Sequence, residues 1–311
     1  MMVQARQAAT ATVNRLWRKR PFPITKMSQL IQLVRESHEA PLLGESRPAE
    51  IVSPGQLGIT FIGHSSFFLQ IGGRNILIDP VFATRLIVLR RQRRPGLLAE
   101  QMPPIDLVLI THAHMDHLNL PSLRRIVRAT RRQRGRGPEI LVPHGVEDLV
   151  SPLGFRRVHT AKWWQQVETV GLRVTMTPCR HWGARMFRDI HRGYGGYVID
   201  SSDQSVYHSG DTAYFEGFFE IGQRLSPDVA LLPIGAYFPD TYRTVHTSPE
   251  EAVRGFLELG ARWMVPMHYG TFRLGREPME EPLQRLRAEA ERLGISSQIK
   301  ILEEGQTLKL N

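Results

Sequence analysis

Four short apolar runs in this chain each stop just short of a histidine or an aspartate. IDLVLIT (105–111) runs directly into His112, LRVTMTP (172–178) leads to His181, QSVYHS (204–209) to Asp211, and WMVPM (263–267) to His268. Runs of this length, rich in β-branched residues and bounded by turn formers, read as strands. A near-continuous apolar strand such as 105–111 must also be covered on both faces. In layered α/β architectures, sites form where loops converge at strand ends held rigid by a sheet. A chain that repeats this pattern four times is constrained to bring those ends together.

The remaining pattern places the four runs in two groups. GITFI (58–62), SFFLQI (66–71) and NILID (75–79), separated by short glycine-containing turns, predict a meander. A strand EILV (139–142) follows the 105–111 run, and VETV (167–170), GGYVID (195–200) and VALLPI (229–234) extend the second group. Residues 85–104 are rich in Arg and Pro with weak periodicity and are expected to form a long loop or lid. Helices are expected from Pro121 to about Gln133, near 146–150, and from Pro278 to Leu293, with two short strands closing the chain. Ser248-Pro249-Glu250-Glu251 spells a capping box for a further helix stopping at Gly260. Strands in two groups, each followed by helices, predict an α+β fold with two sheets face to face and helices outside. This domain is expected over 51–311, after a basic arm and lead-in segment at 1–50.

Composition narrows the chemistry. With 41% hydrophobic and 23% charged residues in 311, disorder and fibrous structure are excluded. No apolar stretch approaches the roughly eighteen residues a spanning helix needs. The first twenty residues lack the apolar core of a secretion signal, so a cytoplasmic location is expected. A single cysteine, Cys179, makes neither an internal disulfide nor a thiolate cluster, so any metal site must use His and carboxylate. The net charge of +10 is an arginine charge, since only five of the 40 basic residues are Lys. The first twenty residues, Arg85 to Arg94 and Arg124 to Arg136 contain no acid. Such runs fit either a phosphate-bearing partner or a solvated surface.

The segment Thr111-His112-Ala113-His114-Met115-Asp116-His117 offers four ligand-type side chains in six positions. Residues two apart in an extended segment point the same way, so His112 and His114 can share one cation while Asp116 and His117, past a turn, reach another. With the downstream residues, the expected set is His112, His114 and His181 on one ion, Asp116, His117 and His268 on the second, and Asp211 bridging. Imidazole and carboxylate suit two divalent ions such as Zn, Mn or Fe, which can share a bridging hydroxide. His64 and Asp79, at the ends of early strands, are expected to orient these ligands.

These residues carry a resemblance. THAHMDH (111–117), the later histidines and SGDT (209–212) resemble the ordered motifs of the metallo-β-lactamase superfamily. GHSS (63–66), IDPVF (78–82), PPIDLVLI (103–110), RHW (180–182), PIGAY (233–237), HTSPEEAV (246–253) and MHYGTF (267–272) resemble its N-acyl-phosphatidylethanolamine phospholipase D branch and bacterial relatives. The resemblance implies a four-layer αββα sandwich of two mixed sheets, the ligand set above, and Zn2+ as the usual metal. It also places His246 near the metals, as a candidate to protonate a leaving alkoxide.

On that basis the chain is expected to be a dinuclear phosphodiesterase acting on an anionic small molecule or a phospholipid, with Asp116 also orienting the hydroxide. A lactonase acting on a phosphorylated sugar acid and a metal-dependent nuclease are the alternatives, nucleic acid ranking lower because no binding module is recognisable. Trp182, Phe187, Tyr214, Phe215, Phe218, Phe219, Tyr237 and Phe238 offer apolar surface near the motifs, and Leu16 and Trp17 in the basic arm offer peripheral membrane contact.

Overall fold

A computed structural model describes residues 27–185 and 189–311. The basic arm with Leu16 and Trp17, and Phe187, lie outside the described residues. The compact body is Leu33–Asn311, and helix α1 is Met27–Glu39. Strands β1 (Leu57–Gly63), β2 (Ser66–Ile71) and β3 (Arg74–Ile78) form the expected meander. A small hairpin, β4 (Arg85–Leu86) and β5 (Leu89–Arg90), precedes β6 (Leu107–Leu109), α2 (Leu120–Arg134), β7 (Glu139–Pro143), α3 (Glu147–Val150) and β8 (Arg157–Ala161). The second half contains β9 (Gln166–Thr169), β10 (Leu172–Thr177), β11 (Gly196–Asp200), β12 (Ser205–His208), α4 (Gly217–Leu225) and β13 (Val229–Pro233). It ends with α5 (Pro249–Leu259), β14 (Trp263–Met267), α6 (Glu281–Arg292) and β15 (Thr307–Leu310).

Two mixed sheets result, ordered β15-β1-β2-β3-β6-β7-β8 and β14-β13-β12-β11-β10-β9. Alternation along the strands assigns each side chain to a layer. Ile59 and Phe61, Phe67 and Leu69, Ile76 and Ile78, and Leu107 and Leu109 meet Val174, Tyr197, Val206, Leu231 and Val265 between the sheets. The intervening Phe68, Leu77 and Val108 turn outward onto Leu123 and Ile126 of α2. On the other side Val198, Tyr207, Ala230 and Met264 pack on α4, α5 and α6 through Phe218, Phe256 and Leu286. The architecture is the expected αββα sandwich. Among the described residues, no helix is long and apolar enough to cross a membrane.

Strand direction is what positions the site. In the first sheet β1 and β3 are both antiparallel to β2, and β6 is parallel to β3. In the second, β10 and β12 are both antiparallel to β11, while β12, β13 and β14 are parallel. The C-terminal ends of β1, β3 and β6 therefore share one edge of their sheet, as do those of β10, β12 and β14.

Four features differ from the sequence reading. Residues 85–104 are not one long loop, since they hold the β4–β5 hairpin and a 3-10 turn at Ala99–Gln101. Edge strand β8, half-exposed and polar, lacks the apolar run that marks a buried strand. Helix α4 is masked by Gly217 and Gly222; a Cβ at Gly222 would come within 2.4 Å of the Leu259 carbonyl oxygen, so glycine there permits close packing on α5. At the C-terminus only β15 forms, and Ile299 makes a single bridge to Met264.

Asn119 caps α2 by accepting from the Ser122 amide, and Gly135 ends it at φ 73°. In α5, Ser248 and Glu251 make the reciprocal capping box expected from the sequence. Replacing Ser248 by Ala should lower the unfolding free energy by about 1 kcal/mol in a denaturant titration. No loss would mean that the cap is dispensable to a helix held by Phe256.

Candidate metal centre

The segment after β6 is fixed from below by Asp79, which follows β3. The Asp79 carboxylate accepts from the Thr111 amide at 2.8 Å, from Thr111 Oγ1 at 2.6 Å and from His117 Nδ1 at 2.7 Å. Spending its hydrogen on Asp79, Thr111 Oγ1 is left to accept from His112 Nδ1 at 2.9 Å. His181 Nδ1 donates to the Val245 carbonyl at 2.9 Å. In each ring a hydrogen sits on Nδ1, so Nε2 of His112 and His181 presents a lone pair to the interior, and Nε2 of His117 does so once its second proton is released.

Those lone pairs converge. His112 Nε2 lies 2.8 Å from His114 Nδ1, which lies 3.3 Å from His181 Nε2. Asp211 Oδ2 is 3.9 Å from both His112 Nε2 and His181 Nε2. The same oxygen is 3.2 Å from His117 Nε2 and 3.1 Å from His268 Nε2, and Asp116 Oδ2 is 3.7 Å from each of those nitrogens. Two groups with all ligand atoms within 4.8 Å of one another follow: His112, His114, His181 and Asp211, and His64, Asp116, His117 and His268. Two smaller groups join Asp211, His246 and His268, and Asp79, His112 and His117.

Hydrogen bonding does not satisfy this cluster. His114 Nε2, His117 Nε2, His268 Nε2 and Asp211 Oδ1 are buried without a hydrogen-bond partner, a costly arrangement in a low-dielectric interior. Charge shows the same deficit. Burial, with neighbouring imidazoles, holds His112 well below its ordinary pKa, and burial foremost lowers His114 to about 4 and His181 to about 3. Burial opposes protonation of His117 too, yet Asp211, Asp116 and Asp79 outweigh it and hold the ring well above its ordinary value. His268, buried but facing Asp211 and Asp116, is raised to about 9. Burial would raise Asp116 and Asp211, but the facing imidazoles, His117 foremost, hold both well below the usual carboxylate range. Neutral lone pairs on one side and carboxylates compensated only by protons on the other make a donor set that fits divalent cations.

All ten residues singled out in the sequence lie at this centre. His64 Nε2 donates to Asp116 Oδ2 at 3.0 Å, which orients that carboxylate. His246 stacks on His268 with ring centroids 5.2 Å apart, and stands at the same separation from His181. Sequence reasoning missed Thr111, Thr271, whose Oγ1 accepts from the His64 amide at 2.7 Å, and His208. Buried His208 accepts from the Gly210 amide at 3.1 Å and donates to the Ser65 carbonyl at 3.0 Å, joining the Asp211 loop to the His64 loop. Position in the strand-end motifs is the only signal these residues carried. Of the aromatics offered as apolar surface, Trp182 meets His114 at 4.2 Å, whereas Phe218 is core and Tyr214 and Tyr237 bond to Glu258 and Glu281.

Asp79→Asn should weaken divalent-cation binding by about 10–100-fold in a chelator competition; unchanged affinity would remove its orienting role. Cation uptake at pH 7 should also release protons from His117 and His268, and the His268 share should fade as pH rises through about 9. Calorimetric titrations in two buffers of different ionisation enthalpy should then give different heats. Identical heats would contradict the charge assignment.

Known proteins are similar to this chain. A family model described as a beta-lactamase superfamily domain matches residues 74–269. A Mycobacterium tuberculosis protein described as uncharacterized is 34% identical over 250 residues, 76% of this chain, and the match spans 64% of that relative's length. A Methanopyrus kandleri protein named UPF0173 metal-dependent hydrolase is 31% identical over 80% of this chain and 98% of its own. A Caenorhabditis elegans protein named N-acyl-phosphatidylethanolamine-hydrolyzing phospholipase D 1 is 30% identical over 76% of this chain and 70% of its own. The solved structure of Igni18, described as a novel metallo hydrolase from Ignicoccus hospitalis, superposes with a TM-score of 0.59 at 26% identity, covering 82% of this chain and 99% of that one. With its fold, its strand-end donors and these matches, the chain belongs to the metallo-β-lactamase superfamily.

Proposed function

We propose that the chain is a phosphodiesterase of the N-acyl-phosphatidylethanolamine phospholipase D type that works with two divalent cations, Zn2+ by preference. The observation that carries this reading is Asp211 Oδ2, which lies 3.1–3.9 Å from nitrogens of His112, His117, His181 and His268. One carboxylate oxygen set between two donor groups suits a bridging ligand. His112, His114 and His181 would hold one cation, and Asp116, His117 and His268 the other. When bound, such cations would supply Lewis acidity and lower the pKa of water to about 7.

The chain's own residues do the rest. Asp116, steadied by His64, accepts a hydrogen bond from the attacking water and aligns it with phosphorus. His246 is half-buried with its Nδ1 enclosed and unpartnered, and burial holds the ring neutral, well below its ordinary pKa. A neutral imidazole carries one N–H, which it donates as a hydrogen bond to the departing oxygen as the P–O bond breaks; the attacking water's proton leaves through Asp116, and the departing oxygen takes one from solvent. Trp182 walls the cluster beside His114 and limits water on that side. Phospholipid is favoured as substrate because the C. elegans relative and a Saccharomyces cerevisiae relative, 29% identical over 80% of this chain, are named for it.

The test is a panel of N-acyl-phosphatidylethanolamine, a phosphorylated sugar lactone and oligonucleotides, with metal content quantified. Phosphatidate and an N-acylethanolamine should appear from the first, with the others inert. Lactone opening or oligonucleotide cleavage with the phospholipid untouched would overturn the reading in favour of a lactonase or a nuclease. His246→Ala should lower kcat by about 10²–10³-fold with a smaller change in KM; an unaltered kcat would remove its hydrogen-bonding role at the departing oxygen.

A further inference from the structure

The turn of the β4–β5 hairpin carries two features that folding does not require. Ile87 and Val88 are 74% and 46% exposed. Ile87 is also held at φ 53°, a left-handed conformation that strains a β-branched residue and that glycine or asparagine adopts with less strain. The apolar cluster at the hairpin consists of Val81, Leu86 and Phe272, with Ala83 and Leu274 against it. The two tip residues are not part of it. A strained, solvent-facing aliphatic pair that adds nothing to the core points to a role outside the fold.

Charge around the tip supplies a second, independent observation. The segment Arg85 to Arg94 contains no acid. Arg93 is bound to Glu304 at 2.8 Å, but among the described residues Arg85, Arg90 and Arg94 have no carboxylate partner. Exposed aliphatics between uncompensated arginines suit a surface that is anionic at its boundary and apolar beneath, as lipid headgroups over acyl chains are. A nucleic-acid backbone would engage the arginines but offers Ile87 and Val88 nothing to bury against.

We infer that the β4–β5 hairpin docks this protein onto an anionic lipid surface. Ile87 and Val88 enter the headgroup boundary, and Arg85, Arg90 and Arg94 meet lipid phosphates. The hairpin is anchored close to the metal centre. Leu86 packs on Phe272, whose ring meets His64 edge-on at 5.4 Å, and Arg91 lies 5.2 Å over the same ring while donating to the Val81 carbonyl at 2.8 Å. Docking thus brings lipid phosphates to the side of the molecule where the site lies. It goes beyond the proposed reaction and does not depend on it, because binding is read without turnover.

The experiment is flotation of the full chain with phosphatidylcholine vesicles, with vesicles also containing phosphatidylglycerol, and with an oligonucleotide competitor. The wild type should bind the anionic vesicles at low salt, bind less as salt rises, and ignore the neutral ones. A tip variant combining Ile87→Asn and Val88→Ser should bind them on the order of tenfold more weakly. Its thermal midpoint should be retained or raised, since asparagine tolerates the left-handed turn, and its hydrolysis of a water-soluble short-chain phosphodiester should be unchanged. Absence of wild-type binding, equal binding by the tip variant, or displacement by the oligonucleotide would each overturn the inference. Failure of the phosphodiesterase assay leaves vesicle binding intact, so the two readings fail separately.

Discussion

A buried carboxylate oxygen faced by four imidazoles is the constraint around which this molecule is arranged. Asp211 Oδ2 lies within 4 Å of nitrogens from His112, His117, His181 and His268, delivered by β6 of one sheet and by β10 and β14 of the other. Hydrogen bonds alone leave buried donor atoms unpaired there. Protein interiors rarely tolerate such a deficit, and more than half of such atoms among the described residues belong to this cluster. Positive charge from outside the polypeptide is the simplest remedy, which is why the cluster reads as a cation site rather than as a polar core.

The sandwich makes the arrangement sustainable. Close packing between the sheets fixes the strand ends, so the loops need only span short distances to present their side chains. Local strain is accepted where they do. His64, Asp79 and His268 all have positive φ, at 61°, 44° and 60°, a conformation costing about 1–3 kcal/mol per residue when it is imposed on non-glycine residues at a site. Each bends the chain immediately after a strand and turns its side chain into the cluster. Asp79, Thr111, Thr271 and His208 then bind the loops to one another.

Much of this was legible in the sequence, for physical reasons. Buried strands announce themselves as apolar runs, and ligands placed just past them stand out because His and Asp seldom follow such runs by chance in so regular a way. The capping box of α5 was spelled outright. Helix α4 was hidden because its two glycines, needed for packing, also erase helical periodicity. Strand β8 was hidden because a polar edge resembles a loop. Thr111, Thr271 and His208 were not legible, since a hydroxyl or imidazole that works through a backbone contact has no spacing rule. The exposure and backbone strain at Ile87 lie equally beyond sequence reading, although the acid-free arginine run around it was visible.

The most direct test of the central claim is anomalous diffraction from crystals of the metal-loaded chain, recorded at the absorption edge of the bound metal. Two peaks about 3.5–4 Å apart are predicted, one among His112, His114 and His181, the other among Asp116, His117 and His268, with Asp211 between them. A single peak, or peaks remote from Asp211, would contradict the account.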